Sequence, residues 1–244
     1  MDFIICIYQI YKRKQKIENG SIKVIIKLNN GGIIVEKGIF ITIEGLDGAG
    51  KSTQIKFIKE FMENRGFQVL ISREPGGTYI GEKIRDILLD REHHEMKDMT
   101  EALLYAASRA QHVEELIKPA LEKGYVVLCD RFVDSSIAYQ GGARKLGIEK
   151  VREINKFATG GLEPDLTIFF DIPPEISLER IPLEKVDRLE QEKIEFHRDV
   201  YNTYIALSKE NPDRIKLVRA DREISEISRD IKNVLVKLMK DMEK

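Results

Sequence analysis

Residues 45 to 53 carry the clearest chemistry in the chain: Gly45, Leu46, Asp47, Gly48, Ala49, Gly50, Lys51, Ser52 and Thr53. They fit the pattern G-x-x-x-x-G-K-[ST], in which glycines let backbone N–H groups turn inward and ring a phosphate. A helix starting just after the loop would add its partial positive charge at the same spot. Lys51 is then placed for the β- and γ-phosphates of a nucleoside triphosphate, and the Ser52 hydroxyl for Mg²⁺. The blander reading is a chance glycine turn. The flanks argue against it, because Ile39 to Ile43 read as a buried strand and Gln54 to Arg65 have apolar residues at helical spacing.

Further candidates stand at the ends of other apolar runs. Asp130 and Arg131 follow Tyr125 to Cys129, and Arg73 opens Arg73-Glu-Pro-Gly-Gly-Thr78. Between them lies Leu104-Tyr105-Ala-Ala-Ser-Arg109-Ala-Gln111, and after them Phe132-Val-Asp-Ser-Ser136-Ile-Ala-Tyr139-Gln140-Gly141. Taken singly, a strand-end arginine is more often ion-paired than ligand-binding. Tyr105 alone reads as core packing, and Tyr139 and Gln140 alone as ordinary loop.

Together with the glycine loop, these stretches closely resemble the thymidylate kinase family from about Gly38 to the C-terminus. The resemblance implies transfer of the γ-phosphoryl group of ATP to dTMP, giving dTDP and ADP, with Mg²⁺ as cofactor. It places Arg73 and Arg131 at the acceptor phosphate and reaction centre, where a guanidinium suits phosphate because it binds bidentately and keeps its charge. It gives Asp130 the carboxylate that organises Mg²⁺ with Ser52. Tyr105 falls where an aromatic ring lies against thymine, Arg109 where an arginine bonds the base edge, and Ser136 and Gln140 at further base contacts. Tyr139 matches a ring that crowds the sugar 2′ position, and Asp47 a carboxylate for the acceptor's 3′-hydroxyl. Gly48 groups this chain with members that supply cations from a lid over ATP. The expected lid is about residues 180 to 189, and its candidate cations are Arg180 (on the ATP side), Lys185 and Arg188. Arg188 is the first choice for a catalytic role with Lys51, Asp130 and Arg131. Family members are usually homodimers.

The elements needed to position these residues follow from hydrophobic patterning. Five apolar runs, at residues 39–43, 68–73, 125–129, 166–170 and 215–218, alternate with helical patterns at 54–65, 80–89, 98–123, 190–209 and 223–242. Near-continuous apolar strands separated by helices predict an α/β, three-layer P-loop NTPase fold, a five-stranded parallel sheet flanked by helices. Ligands would then sit at the carboxyl ends of the strands, where the loops above lie. Asp171 with Pro173 and Pro174 reads as loop-shaping, and Glu190 to Lys209 as a solvated helix face.

The 244 residues are 42% hydrophobic and 33% charged with net charge −1, so nothing electrostatic favours nucleic acid or a membrane surface. Cys6 and Cys129 make no disulfide framework, and no run is long and apolar enough to span a bilayer, so a cytoplasmic protein is expected. The four histidines and two cysteines show no metal-ligand spacing. Residues 1–37 differ from the domain that follows, 38–244. Either Ile22 to Leu28 and Ile33 to Val35 form an added hairpin about Asn29-Asn30-Gly31-Gly32, or the segment is an overextended translation start. Rival readings are a kinase for another deoxynucleotide or deoxynucleoside, and a P-loop ATPase switch that hydrolyses ATP without an acceptor.

Overall fold

The computed structural model describes residues 26–29, 32–35, 38–181 and 187–242. Strands β1 (Ile26–Asn29) and β2 (Gly32–Val35) pair antiparallel, with Ile26 opposite Val35 and Asn29 opposite Gly32. The hairpin alternative is thus present over these residues, while Ile22 to Ile25 lie outside the described ones.

The main sheet has five parallel strands in the order β4 (Val69–Arg73), β5 (Val126–Asp130), β3 (Ile39–Glu44), β6 (Leu166–Asp171), β7 (Ile215–Arg219). Every residue of the central β3 is buried, as expected for a strand covered on both faces. Successive side chains of a strand point to opposite faces. Ile39, Ile41 and Ile43 accordingly pack with Ile55, Ile58 and Met62 of α1 (Lys51–Glu63) and with Ile231 and Leu235 of a C-terminal helix. On the opposite face Phe40 meets the Phe132 ring edge-on, with centroids 4.9 Å apart, among Val113, Ile117 and Val127.

The register brings the carboxyl ends of β3, β4 and β5 to one rim, since Ile43 and Arg73 both lie opposite Asp130. From that rim the chain enters α1 directly after the glycine loop and α2 (Tyr79–Leu89) after Arg73. Helix α3 (Asp98–His112) runs on through π-helical turns at Val113–Ile117 and a last helical turn at Lys118–Glu122. Pro119 explains the widening, because its ring collides with the carbonyl of the preceding turn in a regular α-helix. The stretch ends at Gly124, as expected.

Three helical segments are not among those read from the sequence, although the Ile148, Val151 and Ile154 spacing of the second is helical. Helix α4 (Val133–Ser136) continues into π-helical turns over Ile137–Ala143, where Gly141 and Gly142 disfavour a helix and packing against the helix from Ile194 holds it. Helix α5 (Ile148–Thr159) and α6 (Pro174–Glu179) follow. Helix α7 (Ile194–Glu210) starts four residues later than the charge pattern suggests, because residues 188–190 form a turn, and α8 (Ile224–Met242) closes the domain. Helix α7 is also not merely a solvated face: its Phe196, Val200, Tyr204 and Leu207 are buried. Among the described residues no helix is long and apolar enough to cross a membrane.

Candidate active site

The glycine loop folds as a phosphate cradle for reasons visible residue by residue. Leu46 and Ala49 are buried in opposite core clusters and pin the loop from both sides, so they contribute backbone rather than side chain. Gly50 caps α1 at φ 85°, a left-handed conformation that side chains resist. Gly48 is constrained twice: its φ is +80°, and a Cβ there would lie 2.0 Å from the Ser177 carbonyl oxygen of α6. The Ser177 hydroxyl in turn donates to the Asp47 carbonyl at 2.5 Å. Lys51 is buried, with Nζ donating to the Gly45 and Leu46 carbonyls at 3.0 and 2.9 Å, while Ser52 and Thr53 are exposed at the first turn of α1.

Beside the cradle, Arg131 occupies a left-handed backbone conformation (φ 68°), which a non-glycine residue holds only where its surroundings enforce it. Its Nη2 donates to Asp47 Oδ2 at 2.6 Å and Nη1 to Ser135 Oγ at 3.3 Å. Enclosure pushes the Asp47 carboxyl up, but the Arg131 and Lys51 charges outweigh this and hold it well below the usual carboxylate range. Beneath lies Glu44, fully buried at the end of β3, accepting from Phe132 N (2.7 Å), Ser135 Oγ (2.6 Å) and Tyr204 OH (2.8 Å). Burial and the nearby Asp134 carboxylate push its carboxyl up to about 7. Asp130 is different again, because its Oδ1 is buried without a hydrogen-bond partner. An orphaned carboxylate oxygen at the end of β5 and an exposed Ser52 hydroxyl at the start of α1 are oxygen donors of the kind that suits a hard divalent cation such as Mg²⁺.

A cavity of about 280 Å³ opens from this floor. It is lined by Asp47, Arg73, Tyr105, Arg109, Asp130, Arg131, Ser136, Tyr139 and Gln140, which unites every residue expected on the acceptor side. Tyr139 is buried, with the Arg131 guanidinium 5.2 Å from its ring centre and the Phe196 ring packed edge-on. Arg109 is almost wholly buried and already well bound. It donates to Glu74 (2.7 Å), Ser136 (2.9 Å), the Phe132 carbonyl (2.9 Å) and Asn155. Four of its five N–H groups are thereby engaged among the described residues. Arg73 makes a bidentate ion pair with Glu82 at 2.7 and 2.9 Å at the cavity mouth.

The lid region departs from expectation. Arg180 is exposed next to Gly48, its Cβ 3.3 Å from where a Gly48 Cβ would stand, and Nη1 donates to the Ala220 carbonyl. Arg188, the first choice for the catalytic cation, is instead turned to α3, with Nη2 on Glu101 at 2.6 Å and Nε on the Leu88 carbonyl at 3.1 Å. Its partner is a buried carboxylate, and breaking such a pair from one side costs about 3–5 kcal/mol. Lys185 lies outside the described residues.

Several lining residues escape a reading of the sequence. Glu74 and Pro75 lie inside the Arg73 motif, and Asp187 and Glu190 flank Arg188 in the stretch that resembles the lid exit, so their neighbourhoods were usable signals; Arg85 offered none. Glu44 stands at a strand's carboxyl end, the position that singled out Asp130. Folding also brings Glu74, His112 and Cys129 together, with potential ligand atoms within 4.8 Å of one another, although their spacing is not that of a metal site. These groups are already matched: Glu74 binds Arg109 and His112, His112 binds Ser72, and burial pushes the Cys129 thiol up.

Comparison with known proteins agrees with this geometry. A sequence model of the family described as "Thymidylate kinase" matches residues 43–231. Thymidylate kinase of Thermoanaerobacter sp. (strain X514) is 51% identical over 203 residues, which are 83% of this chain and 100% of the relative. That of Lactobacillus delbrueckii subsp. bulgaricus is 53% identical over 195 residues, 78% of this chain and 92% of the relative. That of Caldanaerobacter subterraneus subsp. tengcongensis is 52% identical over 188 residues, 77% and 90%. A phosphate cradle opening onto an arginine-floored, aromatic-walled cavity, matched along most of the chain, identifies a member of the thymidylate kinase family.

Proposed function

We propose that this chain phosphorylates dTMP with ATP, giving dTDP and ADP, and that the cleft divides the work between the glycine loop and the cavity beside it. The observation that carries the reading is the Asp47–Arg131 pair at the boundary. It joins the loop that suits the donor phosphates to the cavity that suits an acceptor, so both anions would meet at one guanidinium. The acceptor phosphate is already an anionic nucleophile, and positioning with charge stabilisation is most of what the protein must provide.

Arg73 and Arg131 would hold the acceptor phosphate in line with the γ-phosphorus. Lys51 and the loop N–H groups would stabilise the charge that moves to the leaving ADP. Arg180 is the lid cation best placed to assist, because it is exposed beside the loop, whereas Arg188 anchors the lid exit. Ser52 and Asp130 would hold Mg²⁺, which when bound screens the phosphate charge. Tyr105 would lie against the base, with Arg109, Ser136 and Gln140 at its edge and Tyr139 crowding the sugar 2′ position. The exposed apolar residues Tyr79, Ile80 and Ile87 of α2 and Met99 and Leu103 of α3 support the homodimer expected for the family.

The test is ADP production from Mg·ATP with dTMP, dUMP, dCMP, dGMP, ribo-TMP and thymidine offered singly. Strong turnover with dTMP, weaker with dUMP and little with the others is expected. Equal ADP production with no acceptor would overturn the reading.

A further inference from the structure

Glu101 is a carboxylate that the reaction does not obviously require. It sits in the first turn of α3 and is 1% exposed. Three groups from two distant segments, Gln140 with Arg144 and Arg188, converge on it. Oε1 accepts from Gln140 Nε2 at 2.9 Å and Arg144 Nε at 3.3 Å, and Oε2 from Arg188 Nη2 at 2.6 Å and Arg144 Nη2 at 3.2 Å.

The chemistry of the Gln140 contact is asymmetric. A carboxylate bound by two guanidiniums only accepts hydrogen bonds, so the –NH₂ end of the Gln140 amide must face it. Among the described residues Oε1 of Gln140 has no donor, although the side chain as a whole is 1% exposed. That oxygen is therefore left for the cavity that Gln140 lines. An amide held this way presents an acceptor to a base. Thymine carries a hydrogen on N3, whereas cytosine has a lone pair there. The fixed amide can pair with the first and repels the second.

We propose that Glu101 is a positioning residue for base specificity: by binding the Gln140 amide nitrogen it fixes the amide oxygen toward the cavity and so selects a base with an N3–H. The inference rests on the reading that Gln140 faces the acceptor base. Arg144 and Arg188 hold Glu101 in turn, and Arg144 also binds Glu192, so the chain leaving the lid region and the base-reading amide share one anchor.

The test compares kcat/KM for dTMP and dCMP in the intact enzyme and in Glu101→Gln, with the dCMP inhibition constant used where its turnover is too low to read. A carboxamide at 101 both donates and accepts, so the Gln140 amide is free to turn over. The dTMP-to-dCMP preference is expected to fall by about tenfold or more, since a site built around one hydrogen bond rejects its mismatch on at least that scale. A merely structural role would lower both substrates together. An unchanged ratio would overturn the proposal. If the single variant does not fold, as judged by its thermal melt, Glu101→Gln with Arg144→Met removes one buried cation along with the anion and carries the same readout. Gln140→Met separates the two layers of the argument: it should also erode the ratio. If it does not, the base-pocket reading itself fails, whereas an unchanged ratio in Glu101→Gln alone sinks only the role of Glu101.

Discussion

Arg131 joins an unusual backbone angle to a central charge. Its left-handed φ turns the chain so that the guanidinium meets Asp47 while the residue's N–H donates to the Ile43 carbonyl at 2.9 Å. Lysine would keep one charge but lose the planar fork that spans two acceptors. Arg131→Lys should lower kcat by about a hundredfold with a smaller change in the KM for ATP, the scale of losing a preorganised contact to the transferred phosphoryl group. Steady-state kinetics check this, and a change confined to KM would reassign the residue to ground-state binding. Glu44 makes a pH prediction at the same scale. Its carboxyl is raised by burial and by Asp134 to about 7, so the folded protein binds a proton that the unfolded chain releases near the ordinary value of 4.5. Stability from this group is present below that ordinary value and is lost as pH rises through about 7. Between pH 5 and pH 8 the native protein should therefore lose about 2 kcal/mol relative to Glu44→Gln, read from urea melts of both. Parallel curves would show that the three donors around Glu44 outweigh its burial.

At the scale of elements, the contact between the glycine loop and α6 decides how the donor side is built. No side chain fits at Gly48 while the Ser177 carbonyl stands where its Cβ would be, and the left-handed φ adds strain. Gly48→Ala should therefore displace α6 and with it Arg180, the exposed cation next to the loop. The expected result is a rise of about tenfold in the KM for ATP and a loss of about 1–3 kcal/mol in stability, measured by kinetics and denaturant unfolding. Unchanged ATP binding would mean that α6 moves without consequence for the donor site. The same scale explains which elements the sequence announces. Strands β3, β5 and β6 are runs of apolar residues buried on both faces, a signal that needs no partner to be recognised. Helix α4 and its π-helical continuation contain Gly141 and Gly142 and owe their shape to packing against α7, which local propensity does not encode.

For the whole molecule, α2 and α3 present a face that a single copy leaves uncovered, with Tyr79 78% exposed and Leu103 51% exposed. Placing an unpaired charge in an apolar interface costs several kcal/mol. Leu103→Glu should convert a dimer into monomer at micromolar concentration in sedimentation experiments; a monomeric native protein would remove this face from consideration. The sequence by itself determined the phosphate cradle, the parallel sheet and the family, because each rests on contiguous residues whose type and spacing limit the backbone to one geometry. It also named the residues around the acceptor cavity, although only through resemblance. Folding alone decided how those residues are held. Arg188 pairs with Glu101 across 87 positions of sequence and Arg109 binds Asn155 across 46. No local pattern constrains such pairs, since a buried charge takes whichever partner the packed layers bring within reach.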